Sequence, residues 1–303
     1  MSAQGRPNGG VQVHLLDATY ELFRAHFAPG RPDLTDAHGN SVKATVGVLE
    51  SVLSLLREGV THLGAASAHV IESWRNSRWP GYKTGAGVDP QLKAQFALAE
   101  DALRAMGVAV WAMVEWEADD ALGTAAERWA DDPAVGRVVV LTPDKDMAQL
   151  VREDGRVVQY DRRKREFMDA DGVRTRFGVS AESIPDFLAL VGDAADGYPG
   201  IPGWGKLSAA TVLTRYRHLE DIPDSVSRWD LSVRSAPNLA ASLREHRDLA
   251  MLFRELATLV TDVPLPESLD DLRWRGAPRA EFEAMAERLG QPALVQRVHR
   301  WAN

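Results

Sequence analysis

Four short apolar runs, separated by stretches of helical periodicity, constrain this chain more than any other feature. They cover residues 11–16, 60–68, 108–114 and 137–141. Each is rich in valine, leucine or alanine and too short for a core helix. A continuous apolar run of this length suits a strand buried on both faces, as in a parallel sheet. Between them, residues 20–26, 46–56, 91–106 and 121–130 place apolar side chains at helical spacing. Strands alternating with helices predict an α/β class: a mostly parallel central sheet with helices on both faces. A shorter strand is expected at 156–160, and the basic run 162–165 sits in a hairpin or loop.

Acids gather where such a sheet places its sites, beyond the carboxyl ends of the strands. Asp17 follows the first run, Glu117, Asp119 and Asp120 the third, and Asp144 and Asp146 the fourth. Asp193 and Asp196 stand apart, just before the glycine- and proline-rich turn 197–205 and a helix at 207–216. Asp119 or Asp120 also suits a helix cap, and acids in a Gly/Pro loop are often only solvated. Eight carboxylates converging on one crevice would repel strongly without cations. Oxygen-only ligands favour hard ions, Mg²⁺ or Mn²⁺. Two such ions about 3.5–4 Å apart can activate water and stabilise a leaving oxygen. The turn beside Asp193 offers bare backbone N–H groups at a helix N-terminus, which suits phosphate.

The chain has 303 residues, 45% of them hydrophobic, enough for one large core or two domains. It has no cysteine, which removes disulfides and thiolate–zinc sites and fits a cytoplasmic location. No apolar run approaches a membrane span, and the polar start is no signal peptide. The net charge of −8 argues against bulk electrostatic DNA binding, so contacts must come from local patches. One such patch is 69–90, where Trp74, Arg75, Arg78, Trp79, Tyr82 and Lys83 interleave aromatics with bases, as along a single-strand path. From 183 onward the chain reads as all helical: 184–191, 207–216, 239–259, 279–289 and 293–301. Nothing suggests a coiled coil, so a monomer is expected.

These residues carry a resemblance. LLDATYELFRA (15–25), SWRNSRWPGYK (73–83), EADDALGT (117–124), TPDKDMAQLV (142–151), DFLALVGDAADGYPGIPGWG (186–205) and ELATLVTDVPLP (255–266) resemble the 5′-nuclease superfamily. That group includes the 5′→3′ exonuclease domain of bacterial DNA polymerase I, phage 5′-exonucleases and flap endonucleases. No polymerase portion is present, so the resemblance is to a stand-alone bacterial enzyme. It implies a PIN-like 5′-nuclease fold with a helical arch at about 69–95 and a C-terminal helix-hairpin-helix variant at about 183–220. The implied organisation is a disordered tail at 1–10, a nuclease core at 11–182, and a helical region at 183–303.

The resemblance also implies roles. Asp17, Glu117, Asp119 and Asp120 would serve a first metal; Asp144, Asp146, Asp193 and Asp196 a second. Arg24 and Lys83 would address the scissile phosphate. Gly203, Gly205 and Lys206 would grip the duplex, with K⁺ at that turn, while Arg75 and Tyr82 are placed on the DNA path by the composition of 69–90. The implied substrate is DNA with a 5′ flap or a 5′-ended duplex carrying single strand. Four departures stand out. Lys206 comes one place early, with Ser208 for threonine; Pro143 replaces a common glycine; no arginine follows Lys83. The largest is Ala68, where a gap-free alignment expects a metal-ligand aspartate. Ala68 favours an alternative reading, a catalytically weak structure-specific DNA-binding protein of the same fold. A PIN-like ribonuclease fits less well, because those domains lack the helix-hairpin-helix turn.

Overall fold

The computed structural model describes residues 9–302. The expected tail at 1–10 falls mostly on residues outside that range. By internal packing the chain divides into two units. The first comprises the residues up to Ile71, Gly85–Thr142, and those from Thr261 on; the second comprises Glu72–Thr84 and Pro143–Val260.

Four strands build the first unit: β1 (Val11–Asp17), β2 (His62–Ala68), β3 (Ala109–Met113) and β4 (Val135–Leu141). They lie in the order β3-β2-β1-β4, and every pairing is parallel. β1 is central, with Asp17 opposite Ala66 of β2, and Leu16 opposite Leu141 of β4. β1, β2 and β4 are mostly buried, as strands covered on both faces must be, whereas β3 at the end of the order is half-buried except at Trp111. The small residues of β2 have their own cause. A Cβ on Gly64 would lie 2.2 Å from the Trp111 ring, so β2 makes room for a tryptophan from β3. Trp111 stacks on Trp129 and donates its indole N–H to Glu267.

The helices Ala18–His26, Phe96–Ala105 and Ala118–Ala130 pack on these strands, and Lys43–Arg57 packs on the first two of the three. The expected single helix at 91–106 is two, Pro90–Lys93 and Phe96–Ala105. Gln95 explains the break. Its buried side chain accepts from the Ala44 and Thr45 amides, both at 3.0 Å, and so caps the start of Lys43–Arg57. The expected helix at 293–301 is also revised. A 3₁₀ turn, Pro292–Arg297, gives way to extended chain in which Trp301 bridges Ala277 in parallel.

In the second unit, β5 (Val157–Asp161) and β6 (Glu166–Met168) form an antiparallel hairpin. Its basic turn is tied by Asp161, which accepts from the Arg163 and Lys164 amides. The rest is helical: Ala170–Phe177, Ile184–Val191, Lys206–Tyr216, Ala236–Glu245 and Arg247–Ala257. The expected helix 239–259 breaks at His246, whose φ of −112° and ψ of 23° leave the helical region. Its imidazole Nδ1 lies 2.9 Å from the Ser242 carbonyl, which also accepts the His246 amide. One core runs through this unit, centred on Phe253, Tyr198, Leu188 and Leu213. Of the expected arch, 69–95, two short helices are formed, Trp74–Arg78 and Pro90–Lys93. No helix among the described residues is long and apolar enough to cross a membrane.

Candidate metal centre

The eight expected carboxylates divide between the units. In the first, Asp17 ends β1 and caps the helix that follows: its Oδ1 accepts the Tyr20 amide at 2.8 Å, and Oδ2 accepts the Thr142 hydroxyl at 3.0 Å. Asp120 is buried and accepts the Glu117 amide at 3.0 Å, closing the start of Ala118–Ala130. Glu117 is buried there and Asp119 half-buried. Glu117, not Asp119 or Asp120, is the N-cap, and Asp120 closes a capping box with it from the third helical position. Arg24 is exposed and ion-paired at 2.5 Å to the buried Glu21. Ala68 is the last residue of β2, and its amide is held by the Thr19 hydroxyl at 2.8 Å.

In the second unit Asp146, Asp193 and Asp196 come together. One oxygen from each lies within 4.8 Å of the other two, and the residues are only 8%, 4% and 6% exposed. Asp146 opens the 3₁₀ turn Asp146–Leu150. Asp144 stands beside it, accepting the Asp146 amide at 3.2 Å. Asp193 and Asp196 come from the loop after Ile184–Val191. Three glycines shape this loop: Gly192, Gly197 and Gly200 have φ of +81°, +85° and +75°. A Cβ on Gly192 would lie 2.4 Å from Pro199, and one on Gly197 would lie 2.0 Å from the Gly81 carbonyl. The loop doubles back through Asp193 and Tyr198, which bridge in antiparallel fashion.

Burial chiefly, then the charges of Asp144 and Asp196, push the Asp146 carboxyl well above its ordinary range, against the pull of Lys145. Its Oδ1 is buried without a hydrogen-bond partner. Tyr198 is pushed up as well, first by burial and then by Asp146, Asp196 and Asp193. Such crowding marks a functional site better than a packing core. Three carboxylate oxygens within 4.8 Å of one another suit a hard divalent cation. The residues present therefore fit the expected ion.

Two lysines meet the cluster. Lys83 Nζ stands 2.9 Å from Asp196 Oδ1, and the Lys83 amide donates to the Asp196 carbonyl at 2.9 Å. Lys145 pairs with Asp193 and lies 3.8 Å from Asp146. Lys145 and Tyr198 were not singled out from the sequence. Lys145 sits between two expected ligands, Asp144 and Asp146, and that position is a legible signal. Arg75 and Tyr82 need correction as DNA-facing residues. Arg75 is 2% exposed and donates to the Leu256 carbonyl at 2.8 Å and the Thr258 carbonyl at 3.0 Å. Tyr82 is 3% exposed and belongs to the core. Both side chains build the unit instead of presenting to a strand.

At the turn, Ile201 and Trp204 anchor in the core, while Gly203, Gly205 and Lys206 are exposed. Gly203 has a φ of +83°, and no atom lies within 4 Å of a Cβ placed on Gly203 or Gly205. Gly205 begins the Lys206–Tyr216 helix, with its amide donating to the Ser208 hydroxyl at 3.0 Å.

Residues 12–178 match the family described as 5′-3′ exonuclease, N-terminal resolvase-like domain. Residues 179–280 match its companion, the 5′-3′ exonuclease C-terminal SAM fold. The chain is similar to DNA polymerase I of Pseudomonas aeruginosa, at 36% identity over 88% of this chain and 29% of the relative. It is also similar to DNA polymerase I of Mycobacterium tuberculosis strain H37Rv, at 33% identity over 98% of this chain and 32% of the relative. The chain thus spans about a third of these relatives' length. Among solved structures, the D15 flap endonuclease of bacteriophage T5, in a complex with DNA and metal ions, shares the fold. Its TM-score is 0.63 at 16% identity, covering 92% of this chain and 100% of that one.

Proposed function

The chain belongs to the 5′-3′ exonuclease family of nucleases, and from that premise we propose that it hydrolyses DNA phosphodiesters at 5′ flaps and 5′ ends in replication and repair, using Mg²⁺ or Mn²⁺. The observation that carries this reading is the buried trio Asp146, Asp193 and Asp196, whose oxygens lie within 4.8 Å of one another. In this reading Asp144 completes that set, and Asp17, Glu117, Asp119 and Asp120 form the ligand set for a further ion in the first unit. A bound divalent ion supplies a water of lowered pKa and charge stabilisation at the phosphoryl oxygens.

The chain's own residues do the rest. The glycine-shaped loop 192–200 sets the backbone positions of Asp193 and Asp196. Lys83, tied by its backbone to that loop, is poised to pair with a phosphate once released from Asp196. Within the first unit Arg24, exposed and paired with Glu21, is the cation this reading assigns to phosphate contact. Gly203 and Gly205 leave backbone open for close approach to a duplex phosphate, and Lys206 adds its charge. K⁺ at this turn, a monomeric state and a cytoplasmic location belong to the same proposal.

Ala68 supports a second reading, a structure-specific DNA-binding protein of low catalytic rate. It ends β2, two residues beyond the partner of Asp17, and in this reading an aspartate there would add a ligand for the first unit's ion. One assay separates the two: a 5′-flap duplex incubated with Mg²⁺, Mn²⁺ or EDTA, scored for binding and cleavage. The nuclease reading expects cleavage with either ion and none in EDTA. Binding without cleavage under every condition favours the second.

A further inference from the structure

Lys145 stands where a cation belongs. Its Nζ pairs with Asp193 and lies 3.8 Å from Asp146, and Asp144 is its chain neighbour. Lys83 faces the remaining member, Asp196. Each of the three clustered carboxylates therefore already has an ammonium against it. A divalent ion needs the same oxygens, and two cations cannot share them at contact distance. Lys145 also has somewhere to go. It is about one third exposed (32%) and lines a cavity of about 750 Å³ with Arg176, Phe177, Phe187 and Lys206.

We propose that Lys145 is a resident counter-cation: it holds the acidic cluster together without metal, and it must withdraw for a divalent ion to bind at Asp146, Asp193 and Asp196. Lys145 thereby sets the affinity of that ion and offsets the repulsion among the carboxylates when no ion is bound. The inference rests on the metal reading of the cluster. Two opposed effects follow from one residue, which a purely structural ion pair would not give. Removing the ammonium makes the metal-free fold less stable, because buried carboxylates lose their partner. It also makes the metal tighter, because a competitor is gone.

The test is a calorimetric titration of Mn²⁺ into the whole chain at pH 8, for wild type, Lys145→Met, Lys145→Arg and Asp193→Ala. The melting temperature of each in EDTA is recorded alongside. Lys145→Met should bind Mn²⁺ at least tenfold more tightly, melt lower in EDTA, and show a larger Mn²⁺-induced rise in melting temperature. Lys145→Arg should stay close to wild type. An unchanged or weaker Mn²⁺ affinity in Lys145→Met overturns the proposal. If wild type and Asp193→Ala bind Mn²⁺ alike, the metal reading itself fails. Should Lys145→Met not fold, amine labelling of wild type read by mass spectrometry decides: Lys145 should label faster when Mn²⁺ saturates. Equal or slower labelling refutes the withdrawal.

Discussion

Arg75 offers a sharp test, because sequence and structure assign it different work. Sequence composition puts it on a DNA path; the structure buries it against the carboxyl end of Arg247–Ala257, bonded to the Leu256 and Thr258 carbonyls. Arg75→Ala would leave the buried Leu256 carbonyl unmet and the Thr258 carbonyl to water. An unmet buried acceptor costs about 1–3 kcal/mol, and the space left by the side chain adds to it. The expected loss is about 3–4 kcal/mol, a large share of a typical stability of about 5–15 kcal/mol. At roughly 2 °C per kcal/mol for a long chain, the melting temperature should fall by roughly 6–8 °C. Arg75→Lys should recover only part, since an ammonium cannot reproduce the fork between two carbonyls. The assay is thermal unfolding, with flap-duplex affinity of the folded protein measured at two salt concentrations. Unchanged stability together with a reduced salt dependence of binding would refute the structural role and restore the DNA contact.

Three further outcomes follow. Gly205→Val should fold normally, since no atom lies within 4 Å of the new Cβ, yet weaken duplex affinity severalfold; equal affinity for wild type and variant removes the turn from the interface. Burial, chiefly, lowers the His14 pKa from 6.5 to about 4, so the unfolded chain takes up the proton first as pH falls. Stability should therefore be full above pH 6.5 and drop by about 2 kcal/mol by pH 5, and a His14→Leu chain that keeps the same drop in urea unfolding contradicts this. Ala68→Asp should raise cleavage and lower the Mg²⁺ concentration needed for half-maximal rate, a tenfold gain corresponding to about 1.4 kcal/mol; an unchanged rate and metal dependence means residue 68 serves no ion.

The strands were legible because parallel pairing buries both faces and demands continuous apolar runs, as in β1 and β4. The acids of the second unit were legible from their spacing around a glycine-rich loop, and three of them do come together. What stayed hidden depends on partners distant in sequence. Gln95 interrupts a periodic helix because it caps another helix about 50 residues away. Arg75 bonds carbonyls more than 180 residues on, and local composition carries no trace of that. Tyr82 reads as a stacking platform, but an aromatic ring serves a core equally well. Trp301 continues a helical pattern yet pairs through its backbone with Ala277, a choice made by tertiary contact.

Catalysis as proposed depends on the cluster of Asp146, Asp193 and Asp196 as the seat of a divalent ion. Its most direct test is the single-turnover cleavage rate of a 5′-flap duplex by Asp193→Ala in Mg²⁺, paired with duplex binding in EDTA. A lost ligand weakens both the ion and its charge stabilisation, so the rate should fall on the order of a thousandfold or more while binding persists. Near-normal turnover in Asp193→Ala would contradict the account.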